Sequence, residues 1–83
     1  MSAKFQSVSQ EYDRMYVARK IDYDKITSGI FEAARQEFPE LTEQQLGLIW
    51  SKVYEENHSY FGECIWGMHS LCEFSANLLK TKA

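Results

Sequence analysis

Proline and glycine are scarce in this 83-residue chain, which has one proline, Pro39, and four glycines. The glycines stand at positions 29, 47, 62 and 67, scattered rather than clustered, which argues against a β-meander and against a phosphate-binding loop. No uncharged apolar run approaches the roughly 18 residues that would cross a bilayer, and the N-terminal residues lack the apolar stretch of a secretory signal. We therefore expect a cytoplasmic protein with no membrane partner.

Cysteine is also rare. The two cysteines, Cys64 and Cys72, lie eight positions apart in what reads as one helix. At 1.5 Å per residue they are separated by about 12 Å along the axis, which is beyond the reach of a disulfide. We interpret them as reduced thiols.

The composition describes one folded domain. The chain has 12 acidic and 9 basic residues, a net charge of -3, 45% hydrophobic residues and 14% aromatic residues, which is far from the composition of disordered chains. A chain this short buries roughly 60 to 70% of its unfolded surface, enough for a single core. We predict one domain over residues 1–83, with residues 1–6 as a flexible arm.

Apolar residues recur at steps of three and four, the period of helices that present one face to a core. The sequence therefore predicts an all-α fold, a small bundle or orthogonal array of three to four helices. Their predicted bounds are about 5–19, 23–37, 43–56 and 60–80.

The third helix has the clearest start. Thr42 is placed to cap it, Gln45 to hydrogen-bond back to the cap amide, and Leu41 to pack on Leu46. These three features together predict a helix N-terminus at residue 43.

Other boundaries depend on single residues. Asp22 or Asp24 is suited to cap the second helix, which must end near Pro39 because proline disfavours helical geometry in the residue before it. Asn57 is suited to the left-handed conformation that often follows a helix, and Ser59 to capping the last helix.

The last helix is predicted to be the longest and to be buried along one broad face from about 60 to 80, with Phe74 at the edge of that face. The apolar residues predicted to share the face are Phe61, Cys64, Ile65, Met68, Leu71, Cys72, Leu78 and Leu79.

Three neighbouring residues of this helix, His69, Cys72 and Glu73, are of the types that bind metals or form a nucleophilic site. Cys72, however, belongs to the apolar face, where a free cysteine usually behaves as a small hydrophobe and its thiol is poorly ionised. We predict no metal, no cofactor and no catalytic residue, and hence a protein that is not an enzyme.

Charge argues against nucleic-acid binding through the last helix. Residues 59–79 include Glu63 and Glu73 but no lysine or arginine, whereas duplex binding requires cations that neutralise phosphates. Residues 1–20 sum to +2 and residues 21–45 to -4. A weak DNA-binding protein using the first segment and an acidic mimic of nucleic acid using the second remain alternatives.

Aromatic residues provide the candidate partner-binding site. Trp66 projects with His69 and Glu73, away from the apolar face, and large aromatics on a polar face are typical of protein interfaces. The alternative is that the N-terminal helix covers Trp66. Tyr12, Tyr16 and Tyr23 are likewise either a packing layer or part of an anchor surface, and we include all six residues in the predicted site.

By elimination, the sequence predicts a protein-binding module, such as an adaptor, an inhibitor of a larger enzyme or a small subunit of a complex. The partner would be another protein. The main alternative is a structural homo-oligomer, for example a homodimer, that buries the same aromatic surface against its own copy.

Overall fold

A computed structural model describes residues 3–82 and confirms the all-α prediction. It contains four helices, α1 (Ala3–Val17), α2 (Tyr23–Glu37), α3 (Glu43–Asn57) and α4 (Phe61–Lys82), whose bounds lie within two residues of those predicted. Residues 3–6, expected to belong to an arm, form the first turn of α1 instead, because Phe5 is fully buried. Residues 1 and 2, the rest of that arm, lie outside the described residues.

The bundle is organised around α4, which contacts each of the other three helices. The molecule measures 46 × 25 × 18 Å. Its core is built from residues of all four helices, and the largest fully buried side chains are Phe5, Ile26, Ile30, Leu46, Ile65, Met68, Cys64 and Cys72. No helix within residues 3–82 combines the length and apolar character needed to span a bilayer.

The start of α3 forms as predicted. The Thr42 hydroxyl accepts a hydrogen bond from the Gln45 backbone N–H at 3.1 Å, and the Thr42 backbone N–H donates to Gln45 Oε1 at 2.8 Å. Leu41 and Leu46 are both buried. The capping box thus satisfies two backbone groups that the first turn of a helix leaves without partners.

We expect Thr42→Ala to lower the free energy of unfolding by about 0.5 to 2 kcal/mol, since alanine offers no acceptor to the Gln45 N–H. Urea denaturation would measure the change. Ser28→Ala is the matched control, because Ser28 is exposed within α2 and its replacement should not lower stability. Equal stability of Thr42→Ala and the wild type would contradict a stabilising cap.

Both boundaries of α2 agree with the sequence. Asp22 is the N-cap, and its Oδ1 accepts from the Lys25 backbone N–H at 3.1 Å. The helix ends at Glu37, two residues before Pro39, and the Phe38 N–H donates to the Ala34 carbonyl at 2.8 Å.

The expected left-handed residue is found in a different connection. Asn57 is the last residue of α3, and its side-chain amide donates to the Val53 carbonyl at 2.9 Å. Among the described residues the only non-glycine with a positive φ is Arg19, at 58°. The Lys20 N–H donates to the Met15 carbonyl at 3.0 Å, so a Schellman-type turn ends α1 without a glycine.

The predicted cap of α4 is off by one residue. The helix begins at Phe61, so Tyr60 rather than Ser59 occupies the position before it. The Tyr60 carbonyl accepts from the Glu63 N–H at 3.0 Å, and the Tyr60 N–H donates to the Asn57 carbonyl at 3.1 Å. The connection between α3 and α4 is consequently tight, and it projects the Tyr60 side chain outward, 49% exposed.

The prediction that α4 is buried to residue 80 is wrong at its C-terminal end. Burial stops at Ala76, while Phe74, Leu78 and Leu79 are 61%, 47% and 39% exposed. Leu78 and Leu79 lie beside the start of α3, and no other helix of residues 3–82 covers them. A shallow depression of about 290 Å³ lies here, which we call the leucine groove; its apolar residues are Leu41, Leu48, Ile49, Leu78 and Leu79.

Candidate functional site

One end of the bundle contains an open cleft of about 610 Å³. Seven of its eleven lining residues are aromatic, so the cleft is defined by ring faces rather than by aliphatic side chains. We call it the tyrosine cleft. Its exposed rim consists of Tyr16, Tyr23, Tyr54 and Tyr60, which are 49 to 58% exposed, and its base consists of Tyr12, Trp50 and Phe61.

All four helices contribute to the tyrosine cleft. Helix α1 supplies Tyr12 and Tyr16, which are four residues apart and therefore lie on one face, with ring centroids separated by 6.2 Å. The same spacing aligns Trp50 and Tyr54 on α3, at 6.1 Å. Helix α2 begins with Tyr23, which follows directly after its cap.

Phe61 holds the base of the cleft together. Its ring lies 5.0 Å from that of Tyr23 at an interplanar angle of 80°, and 6.0 Å from that of Trp50 at 73°. It also lies 6.1 Å from the ring of Tyr12. The edge-to-face pairs with Tyr23 and Trp50 stabilise the orientation of the rings beyond the effect of burial alone. The first residue of α4 thus fixes aromatic residues from three other helices.

Gly62 permits the close approach of two tyrosines. A Cβ atom at this position would lie 3.0 Å from Tyr60 Cζ and 3.1 Å from Tyr12 Cε2. Any larger residue would have to displace one ring. Burial raises the pKa of Tyr12, and the neighbouring Tyr60 and Tyr23 add to the rise, so its phenol is neutral at physiological pH.

The six residues of the predicted site do not form one surface. Tyr16 and Tyr23 lie on the exposed rim of the cleft. Tyr12 is only 3% exposed, so it supports the other rings and has little surface to offer a partner. Of the two alternatives for these tyrosines, Tyr12 therefore fits the packing layer, while Tyr16 and Tyr23 are exposed as an anchor surface would be.

The other three predicted residues lie along α4. Trp66 is half-buried in a small depression that it shares with Ser9 and Asp13, so α1 covers part of its ring. The His69 ring packs between Phe5 and Phe38, at 4.9 and 5.7 Å, in a structural position rather than on an open surface. Glu73 is exposed one turn further on.

The site predicted from the sequence does not include Tyr54 and Tyr60, which are half of the rim. Trp50 and Tyr54 lie on the apolar stripe of α3 by their spacing, although Tyr54 is 49% exposed. The sequence pattern that could have indicated this part of the cleft is the series Trp50, Tyr54 and His58, three rings spaced four residues apart that extend past the apolar stripe. The Tyr54 and His58 rings lie 6.3 Å apart at the mouth of the cleft.

The candidate metal ligands His69, Cys72 and Glu73 lie in three different environments. Cys72 is fully buried, His69 is half-buried against phenylalanine rings, and Glu73 faces outward. Over residues 3–82 no group of three or more histidine, cysteine, aspartate or glutamate side chains is arranged to hold a metal ion.

Burial raises the pKa of both thiols, that of Cys72 to about 12. A raised pKa leaves Cys72 protonated near pH 8, where an exposed thiol would be partly ionised. We expect the native protein to react slowly with a chromogenic disulfide such as Ellman's reagent, and both thiols to react at once in denaturant. Rapid reaction of the native protein would contradict the burial of these residues.

The Cys72 thiol ionises at a lower pH in the unfolded state than in the folded state, because only the folded state buries it. The free energy of unfolding should therefore fall as pH rises above about 9, and Cys72→Ala should remove that contribution.

Comparison with protein-family models, with curated proteins and with solved structures finds no match for this chain. The candidate function therefore depends on the geometry of the tyrosine cleft.

Proposed function

We propose that this chain is a non-enzymatic protein-binding module whose tyrosine cleft contacts another protein. Such modules include adaptors, inhibitors and small subunits of larger complexes. The observation that carries the proposal is the clustering of four half-exposed tyrosines around a fixed aromatic base at one end of the bundle. Tyrosine and tryptophan are enriched among the residues that contribute most to protein interfaces.

The ring contacts favour tight association because they reduce the entropy lost on binding. Tyr23 packs on Phe61, and Tyr54 on Trp50, so both rings are oriented before a partner arrives. Orienting an interface side chain otherwise costs about 0.5 to 1.5 kcal/mol. The hydroxyls of Tyr23 and Tyr54 can each exchange hydrogen bonds with water for hydrogen bonds with a partner.

The chemistry of the lining favours binding over catalysis. Among the described residues, the polar groups of the lining are phenols, the hydroxyls of Thr27 and Ser59 and the imidazole of His58, and the lining itself includes no carboxylate or thiol. Nucleophilic catalysis requires an activated nucleophile next to a base that is itself oriented by a third group.

The acidic segment, residues 21–45, is less suited to imitate nucleic acid because two of its six carboxylates are paired with cations. Glu43 accepts from Arg35 at 2.8 Å, and Glu40 lies 3.7 Å from the Lys80 ammonium. The homo-oligomer that buries the same aromatic surface remains the second candidate, because the half-exposed tyrosines of the cleft are equally available to a second copy of this chain.

Affinity capture from the native host with three baits tests the proposal. The baits are the wild-type chain, Tyr54→Ala and Phe74→Ala, where Phe74 is a matched control because it is an exposed aromatic outside the tyrosine cleft. We expect one protein to be retained by the wild type and by Phe74→Ala, and its affinity for Tyr54→Ala to fall at least about 30-fold, as for an interface hot spot.

Thermal melting of the three baits must show that each is folded. Capture that is equal for Tyr54→Ala and the wild type would contradict the proposed role of the cleft. A concentration-dependent increase in mass by sedimentation, abolished by Tyr54→Ala and without any captured protein, would instead support the homo-oligomer.

A further inference from the structure

The charges around the tyrosine cleft indicate which chemical group of a partner it accepts. No lysine or arginine lines the cleft within the described part of the chain. Aromatic ring faces carry negative potential and attract cations within about 6 Å of the ring centre. Four half-exposed tyrosine rings therefore form a surface that favours a positive group.

Carboxylates flank the cleft on two sides. The depression that contains Trp66 shares Tyr12 and Tyr60 with the cleft, and Asp13 and Glu63 line it. Next to Tyr23, Asp24 lines a shallow surface that Lys20 also lines. None of these three carboxylates forms a salt bridge with another described residue.

Two cations lie on the connection between α1 and α2. Arg19 and Lys20 line shallow surfaces next to Tyr16 and Tyr23, outside the cleft. Within the described residues, no lysine or arginine lines the depression that contains Tyr60, Asp13 and Glu63. A positive group that enters along Tyr60 thus meets ring faces on one side of that tyrosine and carboxylates on the other.

We infer that the tyrosine cleft binds an arginine side chain of its protein partner. The planar guanidinium stacks on the tyrosine rings, and its N–H groups are directed toward the carboxylates beside Tyr60. Arginine suits this surface better than lysine, because a guanidinium is flat, weakly hydrated and able to stack while it donates several hydrogen bonds. The inference rests on the proposed function, and it adds the chemistry of the partner.

Two other occupants of aromatic clefts are disfavoured. Single-stranded nucleic acid stacks on aromatic residues but also needs basic residues along its backbone, which the cleft does not supply. A proline-rich segment also packs in aromatic grooves, but it is neutral and would gain nothing from Asp13 and Glu63. The test below includes a probe for each of these two occupants.

The test is an NMR titration of the full-length, ¹⁵N-labelled chain with short peptides. The probe has arginine at its centre between glycine and serine residues, and its control contains citrulline, which has nearly the same shape without the charge. We expect the arginine peptide to shift the amide signals of Tyr23, Tyr54 and Tyr60. The citrulline peptide should bind about 2- to 30-fold more weakly, the range that a cation–π contact contributes.

Tyr54→Leu and Phe74→Leu provide the matched variants. Leucine preserves apolar volume but removes the ring face, so the arginine peptide should bind Tyr54→Leu several-fold more weakly and Phe74→Leu as tightly as the wild type. Both variants are expected to stay folded, because each replaced side chain is about half exposed or more.

Equal binding of the arginine and citrulline peptides would overturn the inference. So would preferential binding of oligothymidylate or of a proline-rich peptide to the same amides. If a protein captured in a Tyr54-dependent manner is not displaced by the arginine peptide, the proposed function holds and the assignment of arginine fails. If no protein is captured, the proposed function itself fails.

Discussion

Met68→Ala is expected to lower the free energy of unfolding by about 2 to 5 kcal/mol, the cost of removing a large side chain from a packed core. Met68 is fully buried on α4, the helix that contacts every other helix. The loss includes the burial of the removed atoms and the cavity that remains, which neighbouring side chains fill only in part. Urea denaturation followed by circular dichroism would measure it.

Phe74→Ala is the matched control for Met68→Ala, because it removes a larger side chain from the same helix at a position that is 61% exposed. Its effect should be within about 0.5 kcal/mol of zero, as for most surface substitutions. Comparable losses in both variants would contradict the orientation of α4 in the bundle.

Phe5→Ala is expected to cost about 3 to 5 kcal/mol, the range for truncation of a buried aromatic residue. Phe5 is fully buried near the start of α1, with its ring 4.9 Å from His69 of α4 and 6.4 Å from Phe38, which follows α2. This side chain anchors α1 to the rest of the bundle. Chemical denaturation and the protection of α1 amides from hydrogen exchange would report the loss.

Val17→Ala tests the same helix at its other end, where the side chain is 80% exposed. It should leave stability nearly unchanged. A Phe5→Ala protein as stable as the wild type would show that residues 3–6 are a dispensable arm, contrary to their place in α1. Because α1 also carries Tyr12 and Tyr16, loss of its anchor should disturb the tyrosine cleft at the opposite end of the helix.

Helix positions were predictable because they depend on local chemistry. The cap at Thr42 requires a hydroxyl and a glutamine three residues later, and the end of α2 requires only the geometry imposed by Pro39. A turn that is closed by backbone hydrogen bonds was less predictable. Arg19 rather than Asn57 adopts the left-handed conformation, in the turn where the Lys20 N–H donates to the Met15 carbonyl at the end of α1.

The candidate site was less predictable because it depends on how helices meet. An apolar stripe indicates which face of a helix packs, but not how far along its length a neighbour extends. Leu78 and Leu79 continue the stripe of α4 past Ala76, its last buried residue, and are exposed. Tyr54 belongs to the stripe of α3 by spacing, yet it is 49% exposed at the edge of the cleft, which Tyr60 from the connection before α4 also lines.

Site-specific photocrosslinking in host cells would show directly which surface contacts a partner. A photoreactive phenylalanine replaces Tyr54 in the tyrosine cleft in one variant, and Leu48 in the leucine groove in the other, with both positions exposed. The expected result is a single discrete protein adduct from position 54 and none from position 48. An adduct from position 48 alone, or an adduct only between two copies of this chain, would contradict a protein-binding role for the tyrosine cleft.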